Sequence, residues 1–541
     1  MTDPSSIFII DNGAYTIKAN YSPYNDPYGL YTAQLEAEAG PSGGRPKKKS
    51  SKKAKRGKKS NNLKVKEDDA GENSMQVDEV QPVDPYEPRV FQNCLVKTRD
   101  KKVYYGADIE ELQDHGGLVY RRPFEKGLLT SWNPENLIFN DIFARFPNFD
   151  ATTTSLLITE PYLNPPALGE NYDQMIFEEW EFASYARSCA AALVPYGGLF
   201  EIPESPNAPC SILIDVGYSY SHVTPVVDGK VVWSGIRRID IGGKLLTNQL
   251  KRLLSFRQWD LMAETHIVNR IREECCYVTN DWKKDLERAR LPPKQNPIVQ
   301  EYCLPDFTPL NPRGYIKSGP NAVPPPERAE GTAAPGEEHV VNMANERFSV
   351  PEVLFNPSDI VLQQAGLVET VAQVIESMPE DIQGMLWANI GLFGGLASTE
   401  GFGERLENDL RAVCPAEYEL GIFEAEDPRK PVFYGAQALT LRPDYLSTFP
   451  ITRQEYMENG SERCRRRFIS TGLIPDIGNE NVVLRRTHAE GNNNEEEARA
   501  RSKRMGGGHK GKKRRLFGAA DSDDALSGEE EVDVRIPAFK T

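Results

Sequence analysis

Two stretches far apart in the chain, FIIDNGAYTIK and ILIDVGYSYSH, share one pattern of apolar, acidic and glycine residues. In each, an apolar strand leads to an aspartate, Asp11 or Asp215, and a glycine follows two places later, Gly13 or Gly217. Glycine adopts positive φ at little cost and suits a tight turn, whose N–H groups can bind phosphate while an aspartate holds hydrated Mg²⁺. One such turn is typical of an ordinary hairpin. Two in matching strands predict a two-lobed chain that holds a polyphosphate between its halves.

The chain is too long to fold around a single core. It has 541 residues, of which 39% are hydrophobic, a low share that predicts disordered segments beside an ordinary core. No run of about 18 apolar residues occurs, so we expect no membrane association. The eight cysteines are scattered without a C-x-x-C pair. This predicts reduced thiols rather than a disulfide framework or a zinc site, and the dispersed histidines predict no metal cluster.

Charge is concentrated in two pairs of blocks that alternate in sign. Residues 45–66 are basic and 67–87 acidic, and 499–515 and 521–533 repeat this order within a formal net charge of −15. Blocks of like charge stay solvated, which predicts disorder. The basic blocks favour nuclear import and sequence-independent contact with DNA phosphates, because they lack the interleaved aromatics that base stacking requires. The alternatives are that the basic blocks are solvated linkers, and that the acidic runs neutralise them or bind basic histone tails.

Apolar spacing along the rest of the chain predicts alternating strands and helices. It predicts a hairpin over residues 6–21, a leucine-rich helix that starts at Gly242 and Gly243, and a helix over 367–376. Residues 172–197 have apolar side chains at helical spacing and predict two helical pieces. Residues 305–338 are rich in proline, glycine and alanine and predict a long loop.

A second glycine pair, Gly394 and Gly395, ends a predicted strand over residues 386–395. A helix is expected from about residue 403 to 413. A strand–glycine–glycine–helix unit can place helix N-terminal N–H groups beside a nucleotide's phosphates or ribose. The alternative is a tight turn without a ligand.

These elements predict two lobes with an inserted segment and a tail. We predict a first lobe from residues 1–34 and 89–209, to which 434–473 returns; a disordered insertion over 35–88; a second lobe over 210–433 with a long loop at about 308–340; and a disordered charged tail over 474–541.

Three further stretches resemble actin in order and spacing: IVNRIREECCYV, NERFSVPEVLFNPS and GLVET, at residues 267–278, 345–358 and 366–370. The resemblance covers most of the chain from residue 5 to 470. It implies an α/β fold of the actin, heat-shock-chaperone and sugar-kinase type, with two lobes around a nucleotide cleft.

Within that superfamily, four stretches resemble the actin-related protein 6 family. They are DQMIFEEWEF, RRIDIGGKLLTNQLKRLLSFRQW, EYCLPDF and ITRQEYMENG. The resemblance implies a nuclear and also cytoplasmic subunit of SWR-type chromatin remodellers, which exchange a core histone for its variant. The implied partners are the motor and other subunits, histones and the nucleosome, and the implied roles are transcription regulation and chromosome stability. The motor that hydrolyses ATP would be a separate subunit, and we expect no filament.

The resemblance also assigns a candidate ATP site. The matching positions are Asp11, Gly13 and Lys18 in the first turn, Asp215 and Gly217 in the second, Arg272 and Glu273 on the adenosine-facing helix, and Gly394 and Gly395 in the third loop. His222 falls where actin keeps a histidine near the attacking water. Without a nucleotide, Lys18 is instead a solvated surface lysine and His222 a satisfied core histidine.

Several departures from actin affect hydrolysis. Ala14 replaces a hydroxyl residue that would face the γ-phosphate, Tyr218 and Ser219 replace an Asp-Gly pair, and SCAAALVPYGG lacks the water-orienting glutamine. A missing positioning group costs about 10² to 10⁴ in rate. We therefore expect no catalytic residue, negligible hydrolysis, and ATP at most as a structural ligand. The alternatives are an active actin-like ATPase or cytoskeletal protein, and a free DNA-binding module.

Overall fold

The computed structural model describes residues 4–25, 84–109, 112, 118–200, 208–292, 295–306, 311, 313–319, 321–322 and 338–477, with the backbone of 485–486. Most of the predicted insertion and nearly all of the predicted tail, including both basic blocks, lie outside these residues. Within the described part, no helix is long and apolar enough to cross a membrane.

The strands of the described part are short and mostly buried. They are β1 Ser6–Asn12, β2 Thr16–Tyr21, β3 Arg89–Gln92, β4 Leu95–Lys97, β5 Val103–Tyr105, β6 Val119–Arg121, β7 Phe124–Glu125, β8 Leu128–Leu129, β9 Thr154–Glu160, β10 Ser184–Cys189, β11 Cys210–Val216, β12 Ser221–Val227, β13 Lys230–Val231, β14 Arg237–Ile239, β15 Gln300–Cys303, β16 Tyr315–Ser318, β17 Val340–Met343, β18 Ile390–Phe393, β19 Ile422–Glu424, β20 Ile451–Thr452 and β21 Arg485–Arg486.

The α-helices alternate with these strands. They are α1 Trp132–Ala144, α2 Pro166–Gln174, α3 Ala190–Leu193, α4 Gly243–Arg257, α5 Thr265–Cys275, α6 Trp282–Ala289, α7 Glu346–Glu352, α8 Leu367–Glu376, α9 Glu380–Ala388, α10 Phe402–Val413, α11 Pro431–Thr440, α12 Tyr445–Thr448, α13 Arg453–Asn459 and α14 Ser461–Ser470. A π-helical turn over Met175–Glu179 follows α2.

Two large sheets repeat one arrangement around the matching sequence stretches. The first has the order β20-β10-β9-β1-β2-β3, and the second runs β19-β18-β11-β12-β14-β21. In the first sheet, β1 pairs antiparallel with β2 and parallel with β9. In the second, β11 pairs antiparallel with β12 and parallel with β18. The repeated sequence pattern therefore corresponds to a repeated hairpin with a parallel neighbour.

Each sheet packs against its own hydrophobic core. The first core contains an aromatic cluster in which Phe8 lies 4.9 Å from Phe146 and 5.2 Å from both Tyr21 and Phe149, measured between ring centroids. Helix α11 adds Phe433 and other apolar side chains to this core, although it comes from the far end of the chain. The second core lies between the β11–β18 sheet and helices that include α4, α5, α8 and α10. All eight cysteines are free and buried.

The helical prediction for residues 172–197 is wrong at 184–189, whereas helical pieces occur on either side of that stretch. Residues 184–189 form β10, which pairs parallel with β9 and antiparallel with β20. All six residues of this strand are buried. A strand covered on both faces has no alternating polarity, so its sequence pattern does not distinguish it from part of a buried helix.

Two other predicted elements need correction. The strand predicted from Leu386 is shorter, because Leu386 to Ala388 complete α9 and β18 starts only at Ile390. Helix α10, Phe402–Val413, confirms the helix predicted over 403–413. The region predicted as a long loop contains β16. The hairpin at the N-terminus and the helix over 367–376 are confirmed.

Candidate functional site

The first turn joins β1 to β2 and brings its predicted residues together. Lys18 Nζ lies 3.0 Å from Asp11 Oδ2, and the Thr159 hydroxyl donates to Asp11 Oδ1 at 3.0 Å. A Cβ on Gly13 would lie 2.7 Å from the Thr16 carbonyl oxygen, which is closer than any side chain tolerates. The turn therefore requires glycine at this position, and the lysine ammonium neutralises the aspartate.

The second turn joins β11 to β12 and is fixed to the start of helix α4. The Gly217 N–H donates to the Tyr220 carbonyl at 3.1 Å. The N–H groups of Gly243 and Lys244 donate to the Gly217 and Tyr218 carbonyls at 3.1 and 2.8 Å. These first N–H groups of α4 therefore bind the turn itself and do not point toward a ligand.

The two turns face each other across the gap between the sheets. Burial raises the pKa of the Asp215 carboxyl to about 7, and the nearby charge of Asp11 raises it further, while Tyr162 and Lys18 act in the opposite direction. Asp215 lies close enough to sense groups of the first turn, so the predicted meeting of the two turns is observed. Burial and the neighbouring carboxylate therefore both favour the protonated form of Asp215.

The third loop lies directly against the second turn. Gly394 has φ +105°, and a Cβ there would lie 2.5 Å from the Val216 carbonyl oxygen. The Leu396 N–H donates to that same carbonyl at 3.1 Å. A Cβ on Gly395, by contrast, would meet no atom within 4 Å. Gly394 is therefore required for close backbone packing, whereas Gly395 borders open space.

The predicted adenosine-facing residues on α5 are engaged with protein groups. Arg272 is buried, and its Nε donates to the Thr247 hydroxyl at 3.1 Å while its Nη2 lies 3.1 Å from Glu273 Oε1. The Asn269 amide donates both to Glu273 Oε1 and to the Tyr15 hydroxyl, each at 2.8 Å. This network links helix α5 to the first turn through Tyr15.

The side chains that fill the space between the turns are aromatic. The rings of Tyr15 and Tyr218 are tilted by 33° with centroids 4.8 Å apart. Arg122 Cζ lies 4.4 Å from the Tyr15 centroid and 5.0 Å from that of Tyr218. We refer to Tyr15, Tyr218 and Arg122 as the cleft stack. Its two rings come from the two opposing turns, so it joins the two halves of the fold.

A second contact lies beside the cleft stack. The Tyr220 hydroxyl donates to the Gly127 carbonyl at 3.3 Å, and Arg238 Cζ lies 4.2 Å above the Tyr220 ring. The Tyr120 and His266 rings are stacked with centroids 5.1 Å apart. The segment between β6 and β8 therefore contacts both the second turn and helix α5.

His222 is a core histidine in this structure. It is buried, and its ring lies 4.1 Å from that of Tyr162 and 4.5 Å from that of Tyr220. Burial lowers the pKa of His222 to about 3, and the charge of Arg238 lowers it further. Among the described residues, neither His222 Nδ1 nor the Tyr162 hydroxyl forms a hydrogen bond of standard geometry. The buried position among aromatic neighbours matches the alternative of a core histidine, but the unpartnered Nδ1 departs from the expectation that this histidine is satisfied.

The sequence identified Tyr218 as an unusual residue of the second turn, but it did not indicate a role for Tyr15 or Arg122. The available signal was that each turn of the pair carries a tyrosine within two residues after its glycine. Two aromatic residues on facing turns can meet at stacking distance. Arg122 gave no comparable signal, because its position over the rings depends on the fold of the β6–β7 segment.

An actin family model matches residues 2–469 of this chain. The chain belongs to the actin family. Among curated relatives, Actin-like protein ARP6 of Cryptococcus neoformans is 53% identical over 72% of this chain and 81% of the relative. Actin-related protein 6 of Drosophila melanogaster is 35% identical over 70% of this chain and 94% of its own length. Actin-related protein 6 of Oryza sativa subsp. japonica is 35% identical over 70% and 93%. The actin fold and the actin-related protein 6 resemblance are thereby confirmed.

Proposed function

We propose that this actin-family chain is a non-catalytic scaffold subunit of an ATP-dependent, SWR-type chromatin-remodelling complex that exchanges a core histone for its variant. It supplies a folded surface to the motor, to other subunits and to the nucleosome, while a separate subunit hydrolyses ATP. It acts in the nucleus, is also present in the cytoplasm, and contributes to transcription regulation and chromosome stability. The similarity to the actin-related protein 6 relatives supports this role.

The observation that carries the non-catalytic part of the proposal is the cleft stack. Tyr15 and Tyr218 lie between the two turns that would hold the phosphates of a nucleotide. A polyphosphate would have to separate the rings and remove Arg122 from them. An aromatic pair contributes about 0.5–1.5 kcal/mol and a desolvated cation–π contact about 2 kcal/mol. Displacing the stack therefore lowers nucleotide affinity by roughly a hundredfold.

Two departures from actin in the sequence support the absence of hydrolysis. Tyr218 stands where the second turn of actin has an acid, and SCAAALVPYGG lacks the water-orienting glutamine. Phosphoryl transfer depends on metal, a positioned water and charge stabilisation.

A narrower alternative is that ATP binds as a structural ligand without turnover. Two features favour it: Lys18 and Asp11 retain a turn of the required type, and the space beside Gly395 is open. Equilibrium dialysis of the purified chain with Mg²⁺ and ATP distinguishes this case from a cleft that excludes nucleotide.

Two experiments test the proposal. Phosphate release by the purified chain should not exceed the rate in buffer, and turnover comparable to conventional actin would overturn the non-catalytic role. Affinity purification of the chain from nuclei, followed by mass spectrometry, should recover a remodeller motor and its companion subunits. Recovery without any such subunit would reject the scaffold role and favour a cytoskeletal protein or a free DNA-binding module.

A further inference from the structure

The most exposed large apolar side chain of the described part lies at the end of helix α4. Phe256 is 93% exposed, and in the following connection Trp259 and Met262 are 41% and 49% exposed. Leu261 N–H donates to the Ser255 hydroxyl at 3.0 Å, so the connection folds back against the end of α4. Three large apolar side chains are thus exposed within a short stretch of chain that ends this helix.

The connection is held in place by contacts with the edge strand β17. The Gln258 side-chain amide accepts from the Asn342 N–H at 2.6 Å and donates to the Asn342 carbonyl at 2.7 Å. The Trp259 indole N–H donates to the Val340 carbonyl at 2.9 Å. These bonds occupy the free edge of β17 and fix the backbone on either side. Phe256 is therefore exposed from an ordered position, and association would not have to order this backbone.

The exposed face of α4 leading to Phe256 is basic. Lys244 and Arg252 are exposed, and Arg252 is one helical turn before Phe256. The intervening Lys251 is half-buried and donates to the Thr265 hydroxyl at 3.0 Å; burial lowers the pKa of its ammonium, and the charges of Arg252 and Lys244 lower it further. Glu346 does not neutralise these positive charges, because it forms an ion pair with Arg257.

The connection between α4 and α5 carries two acids, Asp260 and Glu264, against the cations Lys244, Lys251 and Arg252 of α4. Asp260 accepts the Met262 N–H at 3.1 Å. Burial raises the pKa of the Glu264 carboxyl, and Arg99 on a neighbouring loop partly offsets this. His266, on the first turn of α5, is stacked on Tyr120. The face therefore keeps an excess of positive charge beside its apolar tip.

We propose that this surface, the α4 face (Lys244, Lys251, Arg252, Phe256 and Trp259), docks an acidic segment of another protein that carries an apolar side chain to cover Phe256. The positive charge selects an acidic partner, and the exposed ring selects a protein, since a DNA backbone offers no apolar surface to cover it. A two-fold contact with a second copy of this chain would place the same cations opposite each other. The proposal is independent of the cleft and of any role in chromatin.

Site-specific photo-cross-linking tests the partner in its natural setting. The full chain is expressed in cells with p-benzoyl-phenylalanine in place of Phe256, irradiated, and the cross-linked peptides are sequenced. A matched probe replaces Met457, which is 55% exposed on α13. We expect the probe at 256 to capture an acidic segment with an apolar residue, and the probe at 457 not to capture it. A basic segment, this chain's own residues 521–533, a second copy of α4, or no protein at all would overturn the proposal.

Binding of the captured segment then separates charge from apolar contact. A synthetic peptide of that segment is titrated against the purified chain. Phe256→Ser alone and Lys251→Glu with Arg252→Glu should each weaken binding by about tenfold or more, with Met457→Ser as the unchanged control. The charge variant should also remove most of the salt dependence. Unchanged affinity in Phe256→Ser, or tighter binding of a DNA duplex than of the peptide, would show that the surface has another use. An acidic segment from a protein outside any remodeller would support the docking face while counting against the scaffold role.

Discussion

Tyr15 and Tyr218 lie on different turns of different sheets, yet their ring centroids are only 4.8 Å apart. This contact joins the two halves of the actin fold at the point where the family resemblance places nucleotide phosphates. Arg122 covers both rings, and Asn269 of helix α5 donates to the Tyr15 hydroxyl. Closure of the cleft in this chain is therefore supported by its own side chains.

Removing one ring of the cleft stack should loosen the connection between the two halves. We expect Tyr15→Ala to lower the free energy of unfolding by about 2–4 kcal/mol, because it removes ring packing, the cation–π contact and the Asn269 hydrogen bond. Chemical denaturation measures the change, and Tyr434→Ala, a 37% exposed tyrosine on α11, is the control. In a double-mutant cycle, Tyr15→Ala and Tyr218→Ala should be non-additive; additive losses would mean that the rings do not interact.

Opening the stack should improve nucleotide binding without restoring hydrolysis. We expect Tyr15→Gly with Tyr218→Asp to bind Mg·ATP about tenfold or more tightly than the unchanged chain, because the phosphate space is cleared and an acid is returned to the second turn. Isothermal titration measures affinity, and phosphate release should remain at background. Equal affinities in both proteins would show that the stack does not govern nucleotide access.

Substitution by alanine should affect the stability of the protein very differently at Gly394 and at Gly395. Gly394→Ala should destabilise the protein by more than about 2 kcal/mol, because the new Cβ meets the Val216 carbonyl at 2.5 Å and φ is +105°. Gly395→Ala places its Cβ in open space and should change stability by less than about 0.5 kcal/mol. Thermal unfolding of the two variants provides the comparison, and equal melting temperatures would contradict the observed packing.

The buried ion-pair cluster around Arg187 should be far more important than a surface pair. Arg187 lies 3.0 Å from Glu160 and 3.1 Å from Asp173, and all three side chains are almost fully buried. Arg187→Met should cost about 3–5 kcal/mol, because it leaves carboxyl groups buried without their partner. Arg466→Met, in an exposed pair with Glu462, should cost less than about 1 kcal/mol. Urea denaturation of both variants tests the contrast, which would fail if the two costs were similar.

The carboxyl group of Glu135 should make the free energy of unfolding decrease as pH rises from 4.5 to about 8. It is fully buried, and burial raises the pKa of its carboxyl from 4.5 to about 8, which the hydrogen bond from Asn12 only partly offsets. Because the folded pKa exceeds the unfolded one, this stabilisation is complete below pH 4.5 and is lost as pH approaches 8. His222 has the opposite effect below its unfolded pKa of 6.5, so the test lies above that pH.

The free energy of unfolding should depend less steeply on pH in Glu135→Gln than in the unchanged chain. Between pH 6.5 and 8, the unchanged chain should lose stability, and part of that loss should remain in the variant, because Asp215 and Asp173, with pKa values of about 7, act in the same direction. Melting temperatures across this range measure the slope. Glu458→Gln, at an exposed position, should leave the slope unchanged. An identical slope in Glu135→Gln would mean that this carboxyl does not titrate in the folded protein.

The repeated turns were predictable because their chemistry is local. A strand that ends in an aspartate and a glycine two places later restricts the backbone within a few residues, and both hairpins formed as expected. The repeat itself predicted that the two turns lie on two halves around one cleft, and the resemblance to actin implied the same arrangement. Strand β10 was not predictable in this way, because its burial on both faces depends on β9 and β20, which are distant in sequence.

The candidate site shows the same division between local and non-local signals. Asp11, Lys18 and Gly13 come from a single hairpin and were placed correctly beside one another. The cleft stack needs two turns and the β6–β7 segment to be assembled before its members meet. The hydrogen bonds from the first N–H groups of α4 to the second turn also could not be predicted from the sequence, because backbone hydrogen bonds do not depend on residue type.

The return of the C-terminal segment to the first sheet has a consequence for synthesis of the protein. Helix α11 packs into the core around β1, β20 completes the sheet beside β10, and the Ser22 and Thr440 hydroxyls are 2.7 Å apart. A ribosome releases the N-terminal strands long before these partners exist. The nascent chain must therefore wait with an exposed apolar sheet edge, where aggregation competes with folding. Any fragment that stops before residue 431 would remain in that condition permanently.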